Sequence, residues 1–302
     1  MSFEILLAVA LIPPVALLII MWRVDKLEHE PIPLLLLVAG LGALSGLLAL
    51  VLEIAVDQPI ANMFDSTTYA YYLIMDNFVG VALMEEISKM LVVMLVVWRH
   101  KQFNCRFDGL VYGAASSLGF AALENVKYVI NYGFETGLVR AFTAIPGHLI
   151  FGIFMGAFIG MAKCSKYAGK KGKMNLQLFL AILVPTLIHG YYDYLLSVPA
   201  YMGNAYALWI GFLIAMVIAS IILIVVMAKR DRLIDPSLDV NGQAPTPAPV
   251  AAMPYAAYQM PTAQPAQVYV PQQAQVYVPQ PTPQPASQPA PQPVQYYNPN
   301  QQ

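Results

Sequence analysis

Residues 33–55 read PLLLLVAGLGALSGLLALVLEIA and carry a single ionisable side chain, Glu53. A bilayer core of about 30 Å is crossed by about 20 apolar residues wound into a helix, which satisfies every backbone N–H and C=O within the segment. The stretch therefore reads as a transmembrane helix. Working outward from it, six more segments have the same character: 3–22, 77–98, 109–131, 141–162, 176–197 and 204–228. The expected fold class is all-α, a polytopic transmembrane helix bundle of about seven spans with a disordered C-terminal tail.

Composition agrees with this reading. The 302 residues are 58% hydrophobic and 11% charged, against about 25% charged residues in a soluble domain, and mean hydropathy is +0.59. A net charge of -1 offers nothing to a nucleic acid. Cys105 and Cys164 stand far apart and in no CxxC pattern, which speaks against a disulfide framework and a thiolate zinc site. The first span has Glu4 where a signal peptide has basic residues, and no small-residue cleavage site precedes Arg23, so it reads as retained.

The loop cations set an expected orientation. Arg23 and Lys26 follow span one; Arg99, Lys101 and Arg106 follow span three. Lys163, Lys166, Lys170, Lys171 and Lys173 follow span five, and Lys229, Arg230 and Arg232 follow span seven. The alternate loops hold only Arg140. Positive residues stay inside, so the expectation is a multi-pass protein of the cell membrane with its N-terminus outside and its C-terminus cytoplasmic.

From about Asp235 the chain turns to Pro, Gln, Ala and Tyr, and AQVYVPQ occurs at both Ala266–Gln272 and Ala274–Gln280. Such a tail buries too little apolar area to offset its ordering entropy. Two domains are expected, a transmembrane domain over 1–234 and a disordered, cytoplasmic tail over 235–302. The tail is able to tether a partner that its residues do not identify; a solvated tail is the plainer reading.

Ionisable groups inside spans carry the functional signal, because they are costly in hydrocarbon and normally face a cavity or a partner. Span three holds MEEISK, with Glu85, Glu86 and Lys89. Span four holds GFAALENVKY, with Glu124, Asn125, Lys127 and Tyr128. Span five holds PGHLIFG, with His148, and span six holds HGYYD, with His189 and Asp193. Counting about 1.5 Å per residue, Glu85, Glu124, His148 and His189 each fall roughly 11–12 Å below the same boundary, with Asp193 about one turn shallower. Lys89 lies a turn deeper and is expected to matter less.

That layer has several chemistries open to it. Lys89 stands at i,i+4 from Glu85 and i,i+3 from Glu86 and can neutralise either. A carboxylate kept from water suits a general base or acid. His189 and Asp193 share a helix face and can hold a metal or a water, or orient one another. Glu and His donors together can bind zinc through three protein ligands and leave a position for water, although no HExxH occurs. Each group alone also has a plain packing role: an ion pair between turns, interhelical hydrogen-bond glue, a satisfied core histidine. Six such groups in one layer exceed what packing requires. Gly152, Gly156 and Gly160 read as a close-packing stripe, and Glu28, His29 and Glu30 as solvated residues of an inner loop.

Taken in order, MEEISK, FAALENVKY, His148 and HGYYD resemble the successive motifs of the PrsW intramembrane protease family, within the group of CAAX-prenyl-protease-like enzymes. The segment Asp25-Lys26-Leu27-Glu28-His29-Glu30-Pro31 is similar to that family's acidic, proline-ended first loop. The resemblance covers roughly residues 1–230. The chain departs from the prenyl proteases themselves, with Lys89 and Glu124 where those carry arginine and histidine, and Asp193 where they usually carry asparagine.

The resemblance implies an intramembrane endopeptidase that cleaves membrane-anchored protein substrates, such as anti-sigma-factor-like regulators, in the lipid bilayer. The catalytic set it implies is Glu85, Glu86, Glu124, His148, His189 and Asp193. Glu85 or Glu86 would activate water, and His148, His189 and Glu124 would be the metal ligands if a divalent metal such as zinc is used. The competing reading is a proton-coupled transporter or channel that relays protons through the same acids; the absence of an inverted repeat with broken helices speaks against it.

Overall fold

The computed structural model describes residues 2–198 and 203–235. Among them are seven helices: α1 (Phe3–Val24), α2 (Ile32–Ala61), α3 (69–96), α4 (Asp108–Phe142), α5 (Ala144–Tyr167), α6 (Lys171–Ser197) and α7 (Ala205–Lys229). No strand occurs among the described residues, only an isolated bridge between Cys105 and Leu233. The all-α bundle is thus observed, with one helix for each expected span. The expected tail lies outside the described residues apart from Asp235.

Five of the helices, α1, α2, α5, α6 and α7, are long and apolar enough to cross a membrane. The other two carry the most Asp, Glu, Lys and Arg side chains. In α3, an α-helical turn (Tyr69–Met75) leads into a π-helical stretch (Asp76–Leu83) and then an α-helix (Met84–Val96). π-Helical turns often mark functional sites, because the extra residue per turn re-aims the side chains beyond it; in α3 the first acids beyond it are Glu85 and Glu86. In α4, Gly133 has φ +84, a conformation that other residues rarely adopt, and the helix breaks there.

Burial shows which helices form the centre. In the most apolar window of α5, 67% of residues are buried, against 11% for α7; α7 presents its side chains to lipid while α5 is surrounded by protein. The expected small-residue stripe explains how. A Cβ on Gly109, Gly113, Gly152 or Gly156 would collide with backbone across the α4–α5 contact, and one on Gly160 with the Arg106 carbonyl just before α4. Without a hydrophobic force between helices in lipid, such close backbone approach is what holds them together.

At one end of the bundle two inter-helix segments and the residues that follow α7 interlock. The Trp22 indole N–H donates to the Glu30 carbonyl at 2.8 Å and the Asn104 amide to Glu28 at 2.9 Å. The Phe107 N–H donates to Asp231 at 2.8 Å, and the Ile234 N–H to the Asn104 carbonyl at 2.7 Å. Only part of the expectation for residues 28–30 holds. His29 is exposed, but Glu28 is half-buried and Glu30 is 3% exposed, with its carboxylate accepting the Tyr112 hydroxyl. The local sequence reads as a solvated loop; α4 supplies the wall that buries it.

Candidate active site

The four spans expected to share a polar layer do share one. Glu85, Glu86 and Lys89 come from the first turns after the π-helical stretch of α3, and Glu124 from α4. His148 comes from the first turns of α5, where Pro146 costs no hydrogen bond because the N–H groups there have no helical acceptor. His189 and Asp193 come from α6, one turn apart. They line or back a cavity of about 820 Å³ whose wall includes Glu85, Glu124, His148, His189 and Asp193.

Lys89 is at the centre of the cluster. It is fully buried, and its Nζ lies 2.9 Å from Glu85 Oε2, 2.7 Å from Glu86 Oε1 and 3.1 Å from His148 Nδ1. It also stands 4.2 Å from the centre of the Phe120 ring. The i,i+3 and i,i+4 spacing pairs it with both carboxylates at once, so the smaller role expected from its depth does not match its position. An ammonium beside Nδ1 makes that nitrogen an acceptor. The Nε2–H of His148 then donates to Glu124 Oε2 at 2.8 Å.

His189 is held the same way from the other side. Its Nδ1 lies 3.0 Å from Glu86 Oε1 and its Nε2 3.1 Å from Asp193 Oδ2. Phe151 stacks on the ring with centroids 4.4 Å apart, and the two imidazoles stand 5.4 Å apart, edge to face. The neighbouring carboxylates differ in access. Glu85 reaches the cavity wall, whereas Glu86 is fully buried behind Lys89 and His189, and its Oε2 has no hydrogen-bond partner.

All six residues of the expected site are therefore brought together. One member was missed: Arg140, read above as a loop cation. Its Nη2 lies 2.7 Å from Glu124 Oε2, its Nε donates to Asn125 Oδ1 at 3.0 Å, and its guanidinium covers the Tyr128 ring at 3.8 Å. The break at Gly133 is what brings it back toward Glu124. The glycine was visible in the sequence, but its conformation was not.

The residues also fit a divalent metal, with one change from the expected ligands. Glu85, His148 and His189 each offer a ligand atom, and these atoms all lie within 4.8 Å of one another. Glu124, expected as a ligand, instead sits behind His148. Two imidazoles and a carboxylate are a common catalytic zinc set, and a carboxylate behind each ring is the usual second layer of support. The Lys89 ammonium meets Glu85 and His148 Nδ1, so a metal at His148 would have to displace the ammonium from Nδ1, the ring's one lone pair.

Known proteins are similar to most of the helical part of the chain. The family model described as PrsW family intramembrane metalloprotease matches residues 30–227. Protease PrsW of Oceanobacillus iheyensis is 36% identical over 192 residues, covering 64% of this chain and 83% of that protein. Protease PrsW of Geobacillus kaustophilus is 35% identical over 211 residues, 68% and 87% of the two chains. Protease PrsW of Bacillus subtilis is 31% identical over 192 residues, 64% and 83%. No solved structure matches.

Proposed function

The chain belongs to the PrsW protease family and is a multi-pass membrane peptidase, and from that premise we propose that it hydrolyses a peptide bond of a membrane-anchored protein substrate at the Glu85–His148–His189 cluster. The observation that carries the reading is the convergence of acids and imidazoles from four helices on the wall of a single cavity, with Lys89 buried behind them. The transporter reading of the same acids has no counterpart among the relatives named above, all called proteases.

In this mechanism Glu85 is the general base, because it is the member of the Glu85-Glu86 pair that reaches the cavity. It takes a proton from water as the water oxygen attacks the scissile carbonyl, and passes that proton to the departing amide nitrogen. The products are a carboxylic acid and an amine, and transfer of the acid's proton to the amine leaves a carboxylate and an ammonium. Glu86 positions Lys89 and His189 from behind and does not touch substrate. Glu124 and Asp193 meet the Nε2 atoms of His148 and His189 and fix the ring orientations. A divalent metal held by Glu85, His148 and His189 would add Lewis-acid polarisation and a more acidic bound water.

The substrate class we propose is a single-span regulator of the anti-sigma-factor kind, cut in the half of the bilayer nearer the outer face. The support is the alternation of loop cations, which sets the N-terminus outside and the C-terminus inside. Co-expression of a tagged single-span substrate tests the chemistry. The native chain should yield a shortened product, and the Glu85→Gln, Glu86→Gln double variant none; full cleavage by the double variant overturns it. Cysteines placed at Leu123, Val139 and Leu196 on the cavity wall, with Cys105 and Cys164 replaced, test the orientation. A membrane-impermeant thiol reagent should label them from outside, and labelling from the cytoplasmic side alone reverses the topology.

A further inference from the structure

A second concentration of buried acid lies at the opposite end of α4. Asp108 opens that helix, and the 16 residues to Glu124 span about 24 Å. Asp25 and Glu30, from the segment between α1 and α2, meet Asp108 there. Each of the three offers an oxygen, and these oxygens all lie within 4.8 Å of one another. Exposures are 1% for Asp25, 3% for Glu30 and 0% for Asp108.

Their partners do not balance them. Asp108 Oδ2 accepts the backbone N–H groups of Asn104 and Cys105 at 2.8 and 2.7 Å, but its Oδ1 has no partner. Glu30 accepts the Tyr112 hydroxyl. Neither oxygen of Asp25 completes a hydrogen bond, although the Leu27 and Glu28 amides partly ease its charge. No ion pair among the described residues includes any of the three. Lys163 feels the charges of Asp108 and Glu30, yet its ammonium sits over the Phe103 ring at 4.1 Å and donates to the His100 carbonyl at 3.5 Å. Asp231 and Glu28 add further negative charge around Asp25.

A carboxylate sealed from water with nothing to bind is costly, and only a proton or a cation removes the cost. Burial pushes the Asp25 carboxyl up to about 7 and that of Glu30 up to about 8. A converging set of oxygens with unused lone pairs and no imidazole is the ligand type of hard cations. We propose that Asp25, Glu30 and Asp108 bind a hard divalent cation of the Mg²⁺ or Ca²⁺ class, which clamps the α1–α2 segment onto the start of α4. The site is separate from the peptidase site in donors and in place, and the proposal stands whether or not the proteolytic reading does.

The test uses the full chain in detergent, stripped with a chelator, and Mn²⁺ as an EPR-visible probe. The native chain should bind Mn²⁺ in competition with Mg²⁺ or Ca²⁺, and should melt at a higher temperature with any of them. Asp25→Asn removes a buried charge that no cation of the chain pairs, so the stripped variant should melt above the stripped native chain, gain nothing from the cation and bind Mn²⁺ at least about 10-fold more weakly. Glu30→Gln, which keeps an acceptor for Tyr112, gives the same reading should Asp25→Asn not fold. A His148→Ala, His189→Ala double variant should keep this Mn²⁺ binding. Two results overturn the proposal: Mn²⁺ binding that survives Asp25→Asn and Glu30→Gln but is lost in the histidine variant, or a native chain whose melting and Mn²⁺ signal do not respond to divalent cations, as a cluster sharing protons would behave.

Discussion

Around Glu124 and around Asp108, about 24 Å apart along α4, the same helix helps to bury carboxylates in opposite company. At the Glu124 end each acid meets a base. Lys89 serves Glu85 and Glu86, Arg140 and His148 serve Glu124, and His189 serves Glu86 and Asp193. At the Asp108 end three acids meet amides, a phenol and one another. The first arrangement carries its own counter-charges and can keep reactive groups poised in a cavity. The second has no internal cation and depends on something from outside. Buried acid alone therefore says little about function; the identity of its partners decides between a place for chemistry and a place for a ligand.

Removing a base from the Glu124 end should make it resemble the Asp108 end, and that is the largest effect expected. Lys89→Met leaves Glu85 without its cation and Glu86 with His189 alone, and should cost about 3–5 kcal/mol, read as a lowered melting temperature of the purified chain, while Lys89→Arg retains most of the stability. A Lys89→Met variant that melts like the native chain would mean that the ammonium does not hold the cluster together.

Next in size is the chemistry itself. Glu85→Gln keeps the shape and removes the base, so cleavage should fall at least about 10²-fold with the fold intact. Comparison with Glu86→Gln sharpens the assignment. Glu86 acts from behind, so its loss should disturb stability and ring placement more than Glu85→Gln does. Equal stability of the two variants, with the greater activity loss in Glu86→Gln, would exchange their roles.

A smaller loss, about 10-fold in cleavage rate, is expected for Arg140→Gln, the range typical of groups that orient others at such sites. Glu124 would keep His148 as its partner, so little stability should be lost. Unchanged kinetics in this variant would make the Arg140–Glu124 pair a packing feature. The smallest effect tests neither end. A chain that stops after Asp239 keeps every described helix, and should insert and cleave as the full chain does. Cleavage lost with insertion intact would make the tail part of the enzyme.

The sequence by itself determined the number and placing of the helices, because the length and apolarity that a bilayer demands are local properties of the chain. It also determined the layer of Glu85, Glu124, His148 and His189, since helical rise converts residue number into depth without knowledge of packing. Lys89 could be paired with Glu85 and Glu86 by spacing, but its contact with His148 crosses from α3 to α5, and no residue count shows which faces meet. Arg140 entered the site only through the break at Gly133, where the sequence allows a left-handed turn without requiring one. The Asp25–Glu30–Asp108 cluster was invisible for a further reason. Its members come from two segments more than 75 residues apart in the chain, and Glu30 reads as solvated until α4 closes over it with Tyr112 and Asp108. Tertiary structure decided these because burial and charge pairing depend on the faces that helices turn to one another, and each is paid in desolvation that only the assembled bundle imposes.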